Sequence, residues 1–280
     1  MSLEFKNFKK KLSKKNSLEL NFFLEDNKNL SIIVDNSSSL IIEKVFANKE
    51  KYNGEIIFNK SNIKDIAKPL LIKDIGFYKN FSIYETLKNI LSLYDIKFKK
   101  KVLLDNIEKL GFNSKTKYSD ITDSEKEKLH IYFLTLISKD LLILNLADSA
   151  LTSEDEQIVF DILKDKLANS SITFISISRS INLISDLCHD ALVIADNKQS
   201  YYGSLSKLNI VKDLIIIELA TENLERIVEE IDLDIKIIGN KLIIRKADLE
   251  KALYYFVKSD IRVVNIGDFN KNTSLYEVKE

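Results

Sequence analysis

The stretch that most restricts the fold runs from Ser119 to Asp155, SDITDSEKEKLHIYFLTLISKDLLILNLADSALTSED. Thr122 and Glu125 form a Thr-x-x-Glu capping box, in which each side chain satisfies the other residue's backbone N–H at a helix start. Leu129, Tyr132, Phe133 and Leu136 then recur at three- and four-residue steps, as one apolar face of a helix does. Ser138-Lys139-Asp140 interrupts the pattern. The run from Leu141 to Ala147, LLILNLA, is apolar and of strand length, which fits a strand buried on both faces of a parallel sheet. Open α/β sheets place their ligands beyond the carboxyl ends of such strands. The expected class is α/β.

A chain of 280 residues can bury a large core, in one domain or two. Lys plus Arg and Asp plus Glu both total 42, so no global field favours nucleic acid or an anionic membrane surface. Cys188 is the lone cysteine, which excludes an internal disulfide and fits a reducing compartment. No apolar leader and no long apolar run is visible, so the expected location is cytoplasmic. Glycine is scarce: Gly54, Gly76, Gly111, Gly203, Gly239 and Gly267 are scattered, and none clusters as a phosphate-cradling loop requires.

Laid along the chain, Ile121 to Thr152 resembles the signature helix and Walker B strand of ABC-transporter ATPases, which read LSGGQ-x-x-R and then LLILDEPTSGLD. Ile121-Thr122-Asp123-Ser124-Glu125 takes the place of LSGGQ. Asn145 stands where the family has its Mg²⁺-side Asp, and Leu146 where it has the catalytic Glu. Ser149-Ala150-Leu151-Thr152 replaces the D-loop. The resemblance implies an ABC nucleotide-binding fold of the P-loop NTPase kind, with a mixed sheet and a helical subdomain over about 80–138. It also implies that the catalytic residues are gone.

The remaining segments follow the same order. Residues 1–34 alternate strands with polar turns. Lys9-Lys10-Lys11 with Lys14-Lys15 reads as a solvated hairpin better than as a nucleic-acid patch, because no stacking aromatics are interleaved. In the family an aromatic in this turn stacks on adenine; here Leu12 stands at or near its place. Asp35-Asn36-Ser37-Ser38-Ser39-Leu40 lies where the resemblance puts the P-loop, between a strand and a helix. The P-loop Lys falls at Ser39 or Leu40, and neither can carry its charge. The serine hydroxyls are expected to cap a helix beginning near Leu40; the other reading is a weak anion site at that helix end.

Asn53 to Phe58 resembles the family's next turn and strand. Asp74-Ile75-Gly76-Phe77-Tyr78 resembles the strand before the Q-loop, with Asn80 near the position of its Gln. Ser82 to Leu87 then occupies the segment that in the family touches the membrane partner. A helix is expected over 153–167, led by acids that suit the helix dipole, and a buried strand over Ile172–Ile177. Arg179 takes the place of the family's switch His. An arginine there can pair with a phosphate, although a surface ion pair is the simpler expectation. His130, His189 and Cys188 receive no metal or catalytic role.

The resemblance covers residues 3–210. From 211 to 280 the pattern strand, helix, two strands around Gly239-Asn240, helix, strand predicts a small βαββαβ ferredoxin-like domain. Asn272 to Val278 is similar to the ending of ATPase subunits in ABC-2-type exporters, including antibiotic and lantibiotic immunity transporters. The implied role is a non-catalytic ATP-binding-subunit homologue, structural or regulatory, in such an export complex. Its implied partners are a membrane permease, on whose inner face it would sit, and either an intact ABC ATPase or a second copy of itself. The family uses ATP and Mg²⁺; with these replacements no cofactor is expected. Two other readings stay open: a slow or unusual ATPase working through Arg179 and the serine turn, and a free-standing interaction protein.

Overall fold

The computed structural model describes residues 1–13, 16–34, 36–66, 77, 79–195, 197–212, 214–220, 224–231, 233, 235–238 and 241–268. The chain divides into two compact units, Met1–Gly203 and Ser204–Glu280.

The first unit carries β1 (Leu3–Lys11), β2 (Ser17–Leu24), β3 (Leu30–Ile33), α1 (Asn36–Phe46), β4 (Asn53–Phe58), β5 (Ser61–Asn62), α2 (Ile83–Leu93), α3 (Lys100–Lys109), α4 (Asp123–Ile137), β6 (Leu141–Asn145), α5 (Ser153–Ala168), β7 (Thr173–Ser178), β8 (Asp190–Ala195) and β9 (Lys198–Ser204). Its strands form one sheet in the order β5-β4-β1-β2-β9-β8-β3-β7-β6. One wing, β5-β4-β1-β2, is antiparallel. The other is parallel, with β3 between β8 and β7 and β6 outside β7.

The two wings differ in residue pattern for a physical reason. β2 alternates buried and solvent-facing residues, as a sheet with one wet face requires, whereas β3 and β7 are buried at every position. Phe5, Phe22 and Phe46 interlock beneath the antiparallel wing, with Phe5 stacked on Phe22 at 4.7 Å. β1 carries a bulge between Phe5 and Phe8, where Asn7 takes φ +48°. Gly54, at φ +86°, lies against that bulge, and a Cβ there would collide with the Lys6 and Asn7 carbonyl oxygens. The Lys9 and Lys10 ammonium groups pair with Glu19 and Glu50 at 2.6 Å and 2.5 Å, so part of the basic run is neutralised locally. Lys14 and Lys15 lie outside the described residues.

Between β5 and β6 the described chain is mostly helical. α2 and α4 both open with complete capping boxes, Ser82 with Glu85 and Thr122 with Glu125. The second unit runs α6 (Leu205–Lys212), β10 (Leu214–Leu219), α7 (Leu224–Glu230), β11 (Lys236–Ile238), β12 (Lys241–Arg245), α8 (Leu249–Lys258) and β13 (Val263–Asp268). Its sheet order is β11-β12-β10-β13, with antiparallel pairing throughout. This is the expected βαββαβ ferredoxin-like arrangement. Gly239-Asn240, Asp74 to Gly76 with Tyr78, and Asn272 to Val278 lie outside the described residues. Among the described residues no helix is long and apolar enough to cross a membrane.

Candidate functional site

Parallel register brings the carboxyl ends of three strands level. Ile33 pairs with Ser178 and Asn145 with Ile177. Beyond the strand ends the ladder continues: the Val34 N–H donates to the Ser178 carbonyl at 2.9 Å and the Leu146 N–H to the Ile177 carbonyl at 2.7 Å. The crevice at this end of an open sheet is where such folds hold their ligands. The chain leaves the sheet at this end after β3, β6 and β7.

The turn after β3 departs from expectation. α1 begins at Asn36 rather than near Leu40, so Ser38 and Ser39 sit inside its first turns and not in a capping loop. Both are fully buried. No glycine lies near this turn to take the positive φ angles a wide phosphate loop needs, and α1 is already under way at Asn36. Ser38 donates a hydrogen bond to Asn197 Oδ1 at 3.4 Å. Leu40, at one candidate position for the P-loop Lys, leaves 49% of its surface exposed. Asp35 lies outside the described residues, as do the side chains of Asn36 and Ser37.

The turn after β6 is occupied by its own neighbours. Asn145 Nδ2 donates to the Glu43 carboxylate on α1, and Asn145 Oδ1 accepts from the Ala147 N–H at 3.2 Å. Leu146 is buried. Asp148, two residues on, forms an ion pair with Arg179 from the turn after β7. The Arg179 guanidinium therefore has a carboxylate partner within the chain. Asn80 is exposed in the turn before Ser82. That turn is held by the backbone, since Tyr118 N–H donates to Phe81 and Ser119 N–H to Lys79.

The signature segment is tied to the D-loop instead of standing free. Thr122 spends its hydroxyl on the α4 cap, accepting from the Glu125 N–H at 3.2 Å. Ser124 donates to Asp155 and accepts from the Thr152 N–H at 3.0 Å. Lys128, at the position of the Arg in LSGGQ-x-x-R, places its ammonium 2.6 Å from Asp155 and 4.6 Å from the Phe112 ring centroid. Burial pushes the Asp155 carboxyl up, but Lys128, Ser124 and Thr152 together hold it below the usual carboxylate value. Glu127 accepts from the Ser149 hydroxyl and the Ala150 N–H, both at 2.7 Å. Asp123 is exposed and pairs with Lys126, which holds its carboxyl below the usual value.

Elsewhere, burial lowers His130 to about 4, and its Nε2 lies 2.8 Å from the Tyr118 hydroxyl. Burial raises the Cys188 thiol to about 12, which leaves it inert as a nucleophile. Among the described residues no group of His, Cys, Asp and Glu is placed to hold a metal ion. Sequence reasoning missed Glu43, Glu127, Lys128, Asp148 and Asp155. Two of them carried a signal: Lys128 at the motif's Arg position, and Asp155 three residues after the Thr152 cap that receives its N–H.

No protein-family model matches the chain. Two curated relatives, the methionine import ATP-binding proteins MetN 2 and MetN 1 from two strains of Staphylococcus epidermidis, are each 23% identical over 180 residues, 59% of this chain. The chain spans about half the length of these relatives, 53% of each. A solved structure described as an ABC transporter ATP-binding protein from Pyrococcus furiosus superposes with a TM-score of 0.57 at 19% identity, covering 69% of this chain and 97% of that one. The parallel strand order, the helical segment and this superposition together give the chain the fold of an ABC-transporter ATP-binding protein.

Proposed function

We propose that this chain is a non-catalytic homologue of ABC-transporter ATP-binding subunits, serving a structural or regulatory role in an ABC-2-type export complex on the inner face of a membrane. One observation carries the reading. At the sheet end where such proteins hold nucleotide, the chain's polar groups pair with each other: Asn145 with Glu43, and Arg179 with Asp148. Nucleotide hydrolysis needs the phosphates gripped, Mg²⁺ ligated, water activated and developing charge stabilised. Here the P-loop ammonium gives way to Ser39 or Leu40, the metal-side carboxylate to an amide already engaged, and the base to buried Leu146. No one of these supplies the several kcal/mol expected from an intact catalytic group.

In ABC dimers one subunit's phosphate loop faces the other's signature segment. Asp123 would turn an ionised carboxylate toward a partner's ATP, setting like charge against like. The proposed partners are a permease and either a second ATPase subunit or a second copy.

Isothermal titration of the full chain with Mg-ATP tests the reading: no saturable heat is expected up to about 1 mM nucleotide. Micromolar affinity overturns it. Detergent co-purification of the chain with an ABC-2-type permease is expected, and its failure leaves the free-standing interaction protein as the better account.

A further inference from the structure

The corner joining α2 to α3 combines large apolar side chains left in water with a run of unneutralised like charge. Leu93, Tyr94 and Val102 are 80%, 56% and 51% exposed. Exposed apolar residues scattered singly need no explanation, whereas grouped ones mark a contact surface. Between Tyr94 and Val102 stand Lys97, Lys99, Lys100 and Lys101, with Asp95 as the one acid of that stretch. All four lysines are exposed. Among the described residues none of them forms an ion pair, and Lys100 lies 5.8 Å from the Tyr84 ring centroid.

The backbone fixes this corner. The Ile96 N–H donates to the Leu91 carbonyl at 3.0 Å with Asp95 at φ +55°, so the chain reverses directly after Leu93. The Tyr94 ring meets the Phe133 ring edge to face at 5.6 Å, which anchors it at the surface. α3 then starts with no side-chain cap and no acid in its first turn. Lys99, Lys100 and Lys101 occupy its N-cap and first two positions, where the positive end of the helix dipole disfavours cations. Folding stability gives no reason for that placement. An anionic surface against the turn answers the lysines and the uncapped N–H groups together.

The side chains also distinguish between polyanions. Nucleic acid is gripped by stacking aromatics and by the bidentate forks of Arg. This stretch has no arginine, and two of its three exposed apolar side chains are aliphatic. A bilayer with anionic lipid suits both features: ammonium groups reach the headgroups, aliphatic groups enter the acyl boundary, and Tyr favours the interface between them. We propose that the α2–α3 corner docks directly on an anionic phospholipid surface, with Lys97, Lys99, Lys100 and Lys101 at the headgroups and Leu93, Tyr94 and Val102 in the boundary beneath. The chain's charges balance overall, so the attraction acts within about one Debye length, roughly 8–10 Å, and weakens with salt. This contact requires neither a permease nor a nucleotide, and so stands apart from the subunit role proposed above.

Co-sedimentation of the full chain with protein-free vesicles tests it. Binding is expected to phosphatidylcholine vesicles holding about 30 mol% phosphatidylglycerol, and at least about tenfold weaker binding to phosphatidylcholine alone. Raising the salt to about 0.5 M should release the chain from the anionic vesicles. Replacing three charges together, Lys97→Gln, Lys99→Gln and Lys101→Gln, should weaken binding at least about tenfold with circular dichroism unchanged. The chain contains no tryptophan. Leu93→Trp and, separately, Val102→Trp therefore each introduce a single indole, whose emission should shift to the blue on anionic vesicles. No binding to anionic vesicles, equal binding to neutral ones, binding that the triple substitution leaves unchanged, or unshifted emission at either position overturns the proposal. So does displacement from the vesicles by a single-stranded oligonucleotide, which assigns the lysines to nucleic acid instead.

Discussion

Replacing Lys128 by Met is the sharpest test of how the signature segment is held. The Met side chain keeps the length of the apolar stem and removes the ammonium. The Lys128 side chain is 4% exposed and the Asp155 side chain 12%, so the substitution strands a carboxylate almost out of water. Breaking a buried pair from one side costs about 3–5 kcal/mol, because the remaining charge keeps its desolvation penalty and loses its partner. Contact with the Phe112 ring is lost as well. With a urea slope of roughly 2–3 kcal/mol/M for a unit of this size, the midpoint of the first unit's transition should fall by about 1–2 M. Removing both charges, Lys128→Met with Asp155→Leu, should recover most of that loss, since an apolar pair of similar volume carries no desolvation cost.

The wild-type pair also has a pH signature. The folded Asp155 carboxyl titrates below its usual value, so the pair's stabilisation is complete above the unfolded value of about 3.9 and disappears as pH falls through the folded pKa. In Lys128→Met the carboxyl is desolvated without a cation, and this dependence should reverse. The reasoning fails if Lys128→Met shifts the midpoint by less than about 0.3 M, or if the double variant is less stable than the single one.

Four further expectations follow from the same geometry. His130, lowered by burial to about 4, should make stability rise with pH between about 4 and 6.5, by about 3 kcal/mol in all; NMR titration of the His130 ring reads its pKa directly, and His130→Phe should flatten that limb. Tyr132→Phe removes a buried hydroxyl whose proton meets no acceptor among the described residues and should stabilise the chain by about 1 kcal/mol, measured by thermal denaturation. Gly54→Ala should destabilise by more than about 1 kcal/mol in urea unfolding, since the new methyl meets the β1 bulge at an unfavourable φ. Leu146→Glu should yield no ATPase activity in a phosphate-release assay. It should also lower stability by at least about 2 kcal/mol, because it buries an unpaired carboxylate at a 5% exposed position.

What the amino-acid order determined by itself was local or compositional. The runs at Leu141 and Thr173 read as buried strands because both faces of a parallel sheet exclude polar side chains. The Thr122 box marked a helix start, and the missing Lys, Asp and Glu at the nucleotide positions needed no coordinates to notice. α1 starts at Asn36, four residues before the position the serine run suggests. Serines suit a cap by propensity, but with no glycine to open a loop, burial against the sheet draws Ser38 and Ser39 into the helix. Only the tertiary structure decided which groups answer one another across the crevice and behind it. Glu43 reaches Asn145 across 102 residues and Lys128 reaches Asp155 across 27, distances set by parallel register and helix packing. Local spacing carries no record of such pairs, because a parallel sheet joins strands only through long crossovers.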